Sequence, residues 1–196
     1  MLILASASPR RRDLLTQAGL RFDVLPAHID ETLHPNELPT DYVQRLAVEK
    51  AQAVHALHPK ATVLGADTTV VLDNQILNKP TSRTDAERML RALSGRTHYV
   101  HTGIAIVTSS TQRTHVETTS VFLSPIPEDD LAHYLLTGDS LDKAGAYGIQ
   151  GYAARWITRI EGDFFNVVGL PIAATIALLQ SSSPPPPGAP PMTVSS

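Results

Sequence analysis

The chain reads as α/β, with the related α+β class as its neighbour, built on a mixed sheet flanked by helices. Three observations support that reading. Short apolar runs alternate with longer segments whose apolar residues recur at helical spacing. Several of these successions imply crossovers between strands. Two long runs, 98–108 and 115–123, are separated only by a polar turn and pair as a hairpin.

The elements follow in order. Residues 2–5 form a short apolar run, read as a buried strand. Ser8 then offers a capping hydroxyl, and Pro9 sits where a first helical residue belongs, so a helix runs through Leu14 and Leu15 to a stop at Gly19. Residues 22–25 give a second strand. A long helix covers 40–57, with Val43, Leu46, Ala47, Val54 and Leu57 on one stripe, and Pro59 closes it. A strand over 62–72 turns at Asp73-Asn74 into a short strand over 75–77. A helix over 84–93 ends at Gly95, and the hairpin follows. Residues 127–136 form a helix whose first turn carries Glu128, Asp129 and Asp130, as the macrodipole prefers. A strand over 156–160 and a closing helix over 170–179 complete the fold.

Length and composition bound the function. A chain of 196 residues fits one domain. Its 16 Lys and Arg against 19 Asp and Glu leave a net charge of −3, which argues against a surface built for duplex nucleic acid or for an anionic membrane. Absence of Cys removes disulfide frameworks, thiolate zinc sites and thiol nucleophiles, and suits a reducing compartment. No apolar run approaches the length of a membrane span, and arginines follow the apolar first residues in the reverse of signal-peptide order. A cytoplasmic protein is expected. The last 16 residues hold six of the 15 prolines and too little apolar mass for a core. Residues 1–180 are therefore read as one domain and 181–196 as a disordered tail.

Four features are not explained by a fold alone. Ser6 to Arg12 puts three arginines at the start of a helix, where the dipole disfavours cations. The free backbone N–H groups, Ser8 and the guanidinium forks there suit a phosphate; a solvated basic turn is the plain alternative. Lys50 falls on the apolar stripe of its helix, either snorkelling at the stripe's edge or pointing into a cleft. Asp67 lies inside an apolar strand, where a carboxylate is costly unless paired, hydrogen-bonded or metal-bound. That makes it a candidate base or metal ligand, with Glu31 as a second carboxylate and Lys79 as another loop cation. Finally, residues 142–151 carry Gly145, Gly148 and Gly151 at a spacing of three, which permits close approach to a ligand. No P-loop, HExxH or GxSxG motif is present, and the eight scattered histidines are read mostly as surface residues.

Taken together these segments resemble the Maf (septum formation inhibitor) family of nucleoside triphosphate pyrophosphatases. The shared stretches are LASASPRR at 4–11, DET at 30–32, RLAVEKA at 45–51, GADTTVV at 65–71, LNKP at 77–80, LSGRTH at 93–98, DKAGAYGIQG at 142–151 and VVGLPI at 167–172. The resemblance implies an elongated inosine-triphosphatase-like α/β body with a twisted mixed sheet and a central cleft, often dimeric. It implies hydrolysis of a nucleoside triphosphate to the monophosphate and pyrophosphate, with Mg²⁺ or Mn²⁺. Asp67 takes the place of the family's proton acceptor. Ser8, Arg10, Lys50 and Lys79 match positions around the phosphates, and Glu31 joins Asp67 at the metal. Arg10, Thr68 and Gln150 match the dTTP/UTP branch; the sister branch, acting on 7-methyl-GTP, tends to carry Trp, Gln and Glu there. An amide at Gln150 offers both donor and acceptor to the O4 and N3–H edge of uracil or thymine. A housecleaning role follows from the same resemblance. The alternatives are the 7-methyl-GTP activity and a non-catalytic nucleotide binder linked to septum formation.

Overall fold

In the computed structural model the described residues are 1–182. Their order is β1 (Leu2–Leu4), α1 (Pro9–Gln17), β2 (Asp23–Val24), α2 (Pro39–Leu57), β3 (Thr62–Leu72), β4 (Gln75–Leu77), α3 (Arg83–Leu93), β5 (Thr97–Val107), β6 (Gln112–Leu123), α4 (Glu128–Thr137), β7 (Ile157–Glu161), α5 (Phe164–Val168) and α6 (Ile172–Ser182). The sheet is mixed: β2, β1 and β3 run parallel, while β3, β5, β6 and β7 alternate in direction. The α/β class with a mixed sheet is what the alternation and the hairpin predict.

β3 is the spine. It is buried along nearly its whole length, which accounts for its continuous apolar reading. One edge pairs with β5 from Val63–Val107 through Val71–Tyr99. The other edge is shared by two short strands. β1 pairs with it over 62–64, and β4 pairs with it over 70–72. Between them residues 65–69 have no strand neighbour on that side among the described residues. A change in strand pairing of this kind is where open α/β sheets form clefts.

Helix α2 lies across the face of β3 and β5. Its buried residues Tyr42, Val43, Leu46, Ala47, Lys50, Ala51 and Val54 repeat at helical spacing. Two glycines let the helix backbone come down onto the strands. A methyl at Gly65 would meet the Ala47 carbonyl oxygen and the Ala51 nitrogen, the latter at 2.8 Å. One at Gly103 would meet the Val43 carbonyl oxygen and, at 2.7 Å, the Gln44 nitrogen. Asp67 lies two residues beyond Gly65 and so shares its face of the strand. The seat of the helix therefore brings Lys50 over Asp67.

Residues 25–38 carry no regular structure and are held to α2 by side chains. Arg45 donates from Nε to Glu37 Oε1 at 2.6 Å and from Nη2 to Glu37 Oε2 at 2.8 Å, and it reaches the Thr32 carbonyl at 3.1 Å. This bidentate contact holds the Glu37 carboxyl down to about 2.

Several details differ from the sequence reading. The strand expected over 22–25 shrinks to Asp23–Val24. Trp156 belongs to a single 3₁₀ turn ahead of β7, because its ring is needed in the core beside Tyr134. A short helix, α5, precedes the closing one: Asp163 caps it by accepting from the Phe165 amide at 2.7 Å, and Gly169 ends it. The closing helix continues through Ser182, so Ser181 and Ser182 belong to it and not to a tail; the remainder of the expected tail lies outside the described residues. Two of the histidines read as surface residues are buried, His98 completely and His101 to 9% exposure. His98 is pinned by Tyr147, with its Nε2 2.6 Å from the phenol oxygen, and burial pushes its imidazole down to about 4.

Two outcomes test this description. Gly65→Ala is expected to cost about 3 kcal/mol of stability, because two backbones must part. Gly151→Ala, whose methyl meets nothing closer than Asp139 Oδ2 at 3.6 Å, should cost no more than about 0.5 kcal/mol. Urea unfolding of both variants checks the contrast, and equal midpoints would contradict it. Glu37→Gln is expected to cost about 1–2 kcal/mol at pH 7. Because folding lowers the Glu37 pKa, its contribution is complete above about pH 4.5 and fades as the pH falls toward 2. A difference between wild type and variant that persists unchanged at pH 2 would contradict the assignment.

Candidate active site

A cavity of about 660 Å³ opens along the unpaired edge of β3. Core side chains reach it from several elements: Ala5 from the end of β1, Val70 from β3, Tyr147 from the 142–151 loop and Val168 from α5. Every residue singled out as a candidate from the sequence lines this one cavity: Ser8, Arg10, Glu31, Lys50, Asp67, Thr68, Lys79 and Gln150. They come from the start of α1, the 25–38 loop, α2, β3, the segment after β4 and the 142–151 loop.

Asp67 is at its centre. Its side chain is 12% exposed, and that of Lys50 is 10% exposed. The Lys50 ammonium donates to Asp67 Oδ1 at 2.7 Å and lies at the same distance from Glu31 Oε1. Lys50 on its apolar stripe is therefore turned into the cleft, not snorkelling past it. Burial pushes the Asp67 carboxyl up from its ordinary range, and Lys50 and then Arg11 oppose that rise.

The run of three arginines at the start of α1 does not by itself separate Arg10 and Arg12 from Arg11. It is buried on the other face of β3, where Nε donates to the Gly169 carbonyl at 2.9 Å, Nη1 to Ser6 Oγ at 3.1 Å and Nη2 to Thr68 Oγ1 at 3.0 Å. Burial pulls its pKa down while Asp67 pulls it up, and a guanidinium stays charged throughout. A usable signal was present: Arg11 shares the inward face of α1 with Leu14 and Leu15, as Lys50 shares that of α2. The Thr68 hydroxyl is correspondingly engaged. It accepts from Arg11, lies 2.8 Å from Thr102 Oγ1 and 3.3 Å from the Gly169 carbonyl.

Ser8 caps α1 by accepting from the Arg11 amide at 3.4 Å, which leaves the helix start facing the cavity. Arg10 spans the cleft to Asp142, with Nη1 3.0 Å from Oδ2 and Nη2 3.3 Å from the carbonyl oxygen. Asp142 also accepts from Lys143 at 2.6 Å, so one carboxylate holds two cations of the cavity wall.

A chain of neutral groups fixes the Glu31 segment. Thr69 Oγ1 donates to Asn78 Oδ1 at 2.9 Å, Asn78 Nδ2 donates to the Tyr42 oxygen at 3.0 Å, and the Tyr42 hydroxyl donates to the Glu31 carbonyl at 3.0 Å. No sequence pattern marks Asn78 or Tyr42, since an amide and a phenol carry no such signal until the fold joins them.

Among the described residues, no three His, Asp or Glu side chains gather into a cage for a metal ion. The two carboxylates that converge, Asp67 and Glu31, are hard oxygen donors. They suit Mg²⁺ or Mn²⁺ held jointly with phosphates, the usual arrangement for these ions at nucleotides. Among the same residues no helix is long and apolar enough to cross a membrane.

Known proteins resemble this one in sequence and in fold. Residues 1–182 match the profile described as "Maf-like protein". A protein of Koribacter versatilis (strain Ellin345), named dTTP/UTP pyrophosphatase, is 51% identical over 91% of this chain and 93% of its own length. Proteins of the same name from Geobacillus sp. (strain WCH70) and Vibrio parahaemolyticus are 51% and 48% identical over 89% and 91% of this chain, and over 94% and 95% of their own lengths. A solved HAM1 protein from Coxiella burnetii superposes with a TM-score of 0.52 over 92% of this chain and 98% of its own, at 15% identity, a likeness of fold alone. The match along 1–182 and identities near one half make this chain a member of the Maf-like protein family.

Proposed function

We propose that this protein is a nucleoside triphosphate pyrophosphatase that hydrolyses dTTP and UTP to the monophosphate and pyrophosphate. One observation carries the reading: the acids and cations expected to act on a triphosphate converge on a single cavity, in a chain about half identical to relatives named for that activity. The cavity is large enough for a nucleotide. Arg10, Thr68 and Gln150 are the residue types of the dTTP/UTP branch, so the 7-methyl-GTP reading is not favoured. Paired carboxylates in the cleft disfavour a purely binding role.

In the proposed mechanism a water oxygen attacks the α-phosphorus in line with the bond to the bridging oxygen of the β-phosphate. That bond breaks, pyrophosphate leaves, and the water's proton passes to Asp67. In the free protein Lys50 bonds Asp67 Oδ1 and so fixes the position of the carboxylate. Burial makes the Asp67 carboxylate a stronger base than one in water, and Lys50 and then Arg11 oppose that rise. Arg10, Lys79 and the N-terminus of α1 stabilise the charge that grows on the departing phosphates. Asp67 and Glu31 would hold Mg²⁺ or Mn²⁺, which would supply further charge neutralisation and acidify water. Thr68 acts through Arg11, which its hydroxyl orients. Gln150 pairs with the O4 and N3–H edge of the base, and the 142–151 loop holds it at the cavity wall. A cytoplasmic protein that removes non-standard pyrimidine triphosphates fits this chemistry.

Asp67→Asn is expected to lower the turnover of dTTP and UTP by at least about 10²-fold. Release of pyrophosphate from both nucleotides measures it, and near-native release would remove Asp67 as the base. Gln150→Glu gives up the donor to O4 and is expected to lower kcat/KM for UTP by about tenfold, because O4 loses its partner and meets a carboxylate oxygen instead. An unchanged ratio of UTP to 7-methyl-GTP turnover in that variant would contradict the role of the amide.

A further inference from the structure

The ammonium of Lys50 sits between the two carboxylates that are read as the metal's protein ligands, 2.7 Å from Asp67 Oδ1 and 2.7 Å from Glu31 Oε1. We infer that Lys50 is the standing counter-ion of those carboxylates, so that the protein alone has no site for a divalent cation and takes one only together with a nucleotide's phosphates. The inference rests on the reading of Asp67 and Glu31 as metal ligands and adds the order in which the parts assemble.

Charge supports it first. Asp67 and Glu31 face two buried or half-buried cations: Lys50, bonded to both carboxylates, and Arg11, whose charge also acts on Asp67. Two negative charges are matched by two positive ones, and little field remains to draw in a dication. Space supports it next. Lys50 stands on the stripe of α2 that is pressed onto Gly65, so its stem cannot back away from Asp67 by a shift of the helix. A turn of the Lys50 side chain vacates the place between the carboxylates, whereas a swing of the Glu31 side chain, which is 53% exposed, would separate the pair of ligands. Ligand number is the third argument. Mg²⁺ needs near-octahedral oxygen ligation and is ordinarily held by one or two carboxylates with substrate phosphates and water. Among the described residues no third acidic or His side chain joins the pair.

A triphosphate changes all three conditions. It brings oxygen ligands, and its negative charge gives the Lys50 ammonium a second partner in a cavity that Lys50 already lines. The ammonium then turns from the carboxylates to the phosphates, and the carboxylates are free for a metal. The same side chain that blocks the metal in the free protein becomes a phosphate contact in the complex.

Binding of Mn²⁺, read from its enhancement of water-proton relaxation, tests this without turnover. The wild-type protein alone is expected to show no enhancement at Mn²⁺ concentrations that give full enhancement when a dUTP analogue with nitrogen between the α- and β-phosphates is added. Lys50→Met, checked for folding by circular dichroism, is expected to bind Mn²⁺ without nucleotide at least about tenfold more tightly than wild type. Tight Mn²⁺ binding by wild type alone, abolished by Glu31→Gln, would overturn the inference while leaving the carboxylates as metal ligands. A folded Lys50→Met that binds Mn²⁺ no better than wild type overturns it as well. If Glu31→Gln and Asp67→Asn leave Mn²⁺ in the nucleotide complex unaffected, the reading of these residues as ligands fails, and the inference falls with it. Should Lys50→Met fail to fold, the wild-type titrations with and without the analogue decide the matter alone.

Discussion

A carboxylate buried in the central strand of a sheet is the constraint on which this structure depends. Asp67 cannot be ionised there without compensation. The fold supplies it from two helices, one on each face of β3. Lys50 comes from α2 and touches Asp67 directly, while Arg11 comes from α1 and reaches the adjacent Thr68 from the other face. Both cations stand on helix stripes that otherwise bury apolar residues. Each therefore gives up part of a core contact to serve a charge in the strand between them. Losing one partner of such a pair costs about 3–5 kcal/mol, because the other is left buried and uncompensated. The arrangement is a poor way to gain stability and a direct way to offset a carboxylate buried in a cleft.

The cleft follows from the sheet. β1 and β4 divide one edge of β3 and leave residues 65–69 open between them. Gly65 seats the helix, Asp67 supplies the carboxylate, Thr68 orients Arg11 and Thr69 begins the chain through Asn78 and Tyr42 that holds the Glu31 segment. Successive side chains alternate between the faces of the strand, so one short stretch serves both sides of the site. Loops need only bring the remaining groups to a frame already fixed. The Arg45–Glu37 clamp does this for residues 25–38, and the His98–Tyr147 contact does it for residues 142–151.

Much of this was legible in the sequence, and particular residues show why. β3 reads as a strand because it is buried on both faces, and α2 because its stripe is long and regular. Lys50 and Asp67 stand out because each breaks an apolar pattern that packing would otherwise fill. The resemblance to the Maf family then collects scattered loop residues that no local periodicity connects. Local patterns could not supply contacts across the chain. Arg11 is one of three consecutive arginines, and only the return of Gly169 beneath it separates the buried one from its neighbours. His98 looks like a polar residue opening a strand, yet a tyrosine 49 positions away takes it into the core. The helix α5 is too short for a periodic signal and is fixed by the cap at Asp163 and the stop at Gly169.

Lys50 has a double part in this account, holding the carboxylates in the free protein and meeting phosphates in the complex. Asp67 likewise has two, standing with Glu31 as a metal ligand and taking the proton of a water that attacks the α-phosphorus. Hydrolysis of UTP in water enriched in ¹⁸O, with mass analysis of both products, tests the attack on the α-phosphorus, the centre of the account, most directly. The account predicts that the heavy oxygen enters the nucleoside monophosphate and leaves pyrophosphate unlabelled. Label in the pyrophosphate would place the attack on the β-phosphorus and contradict it.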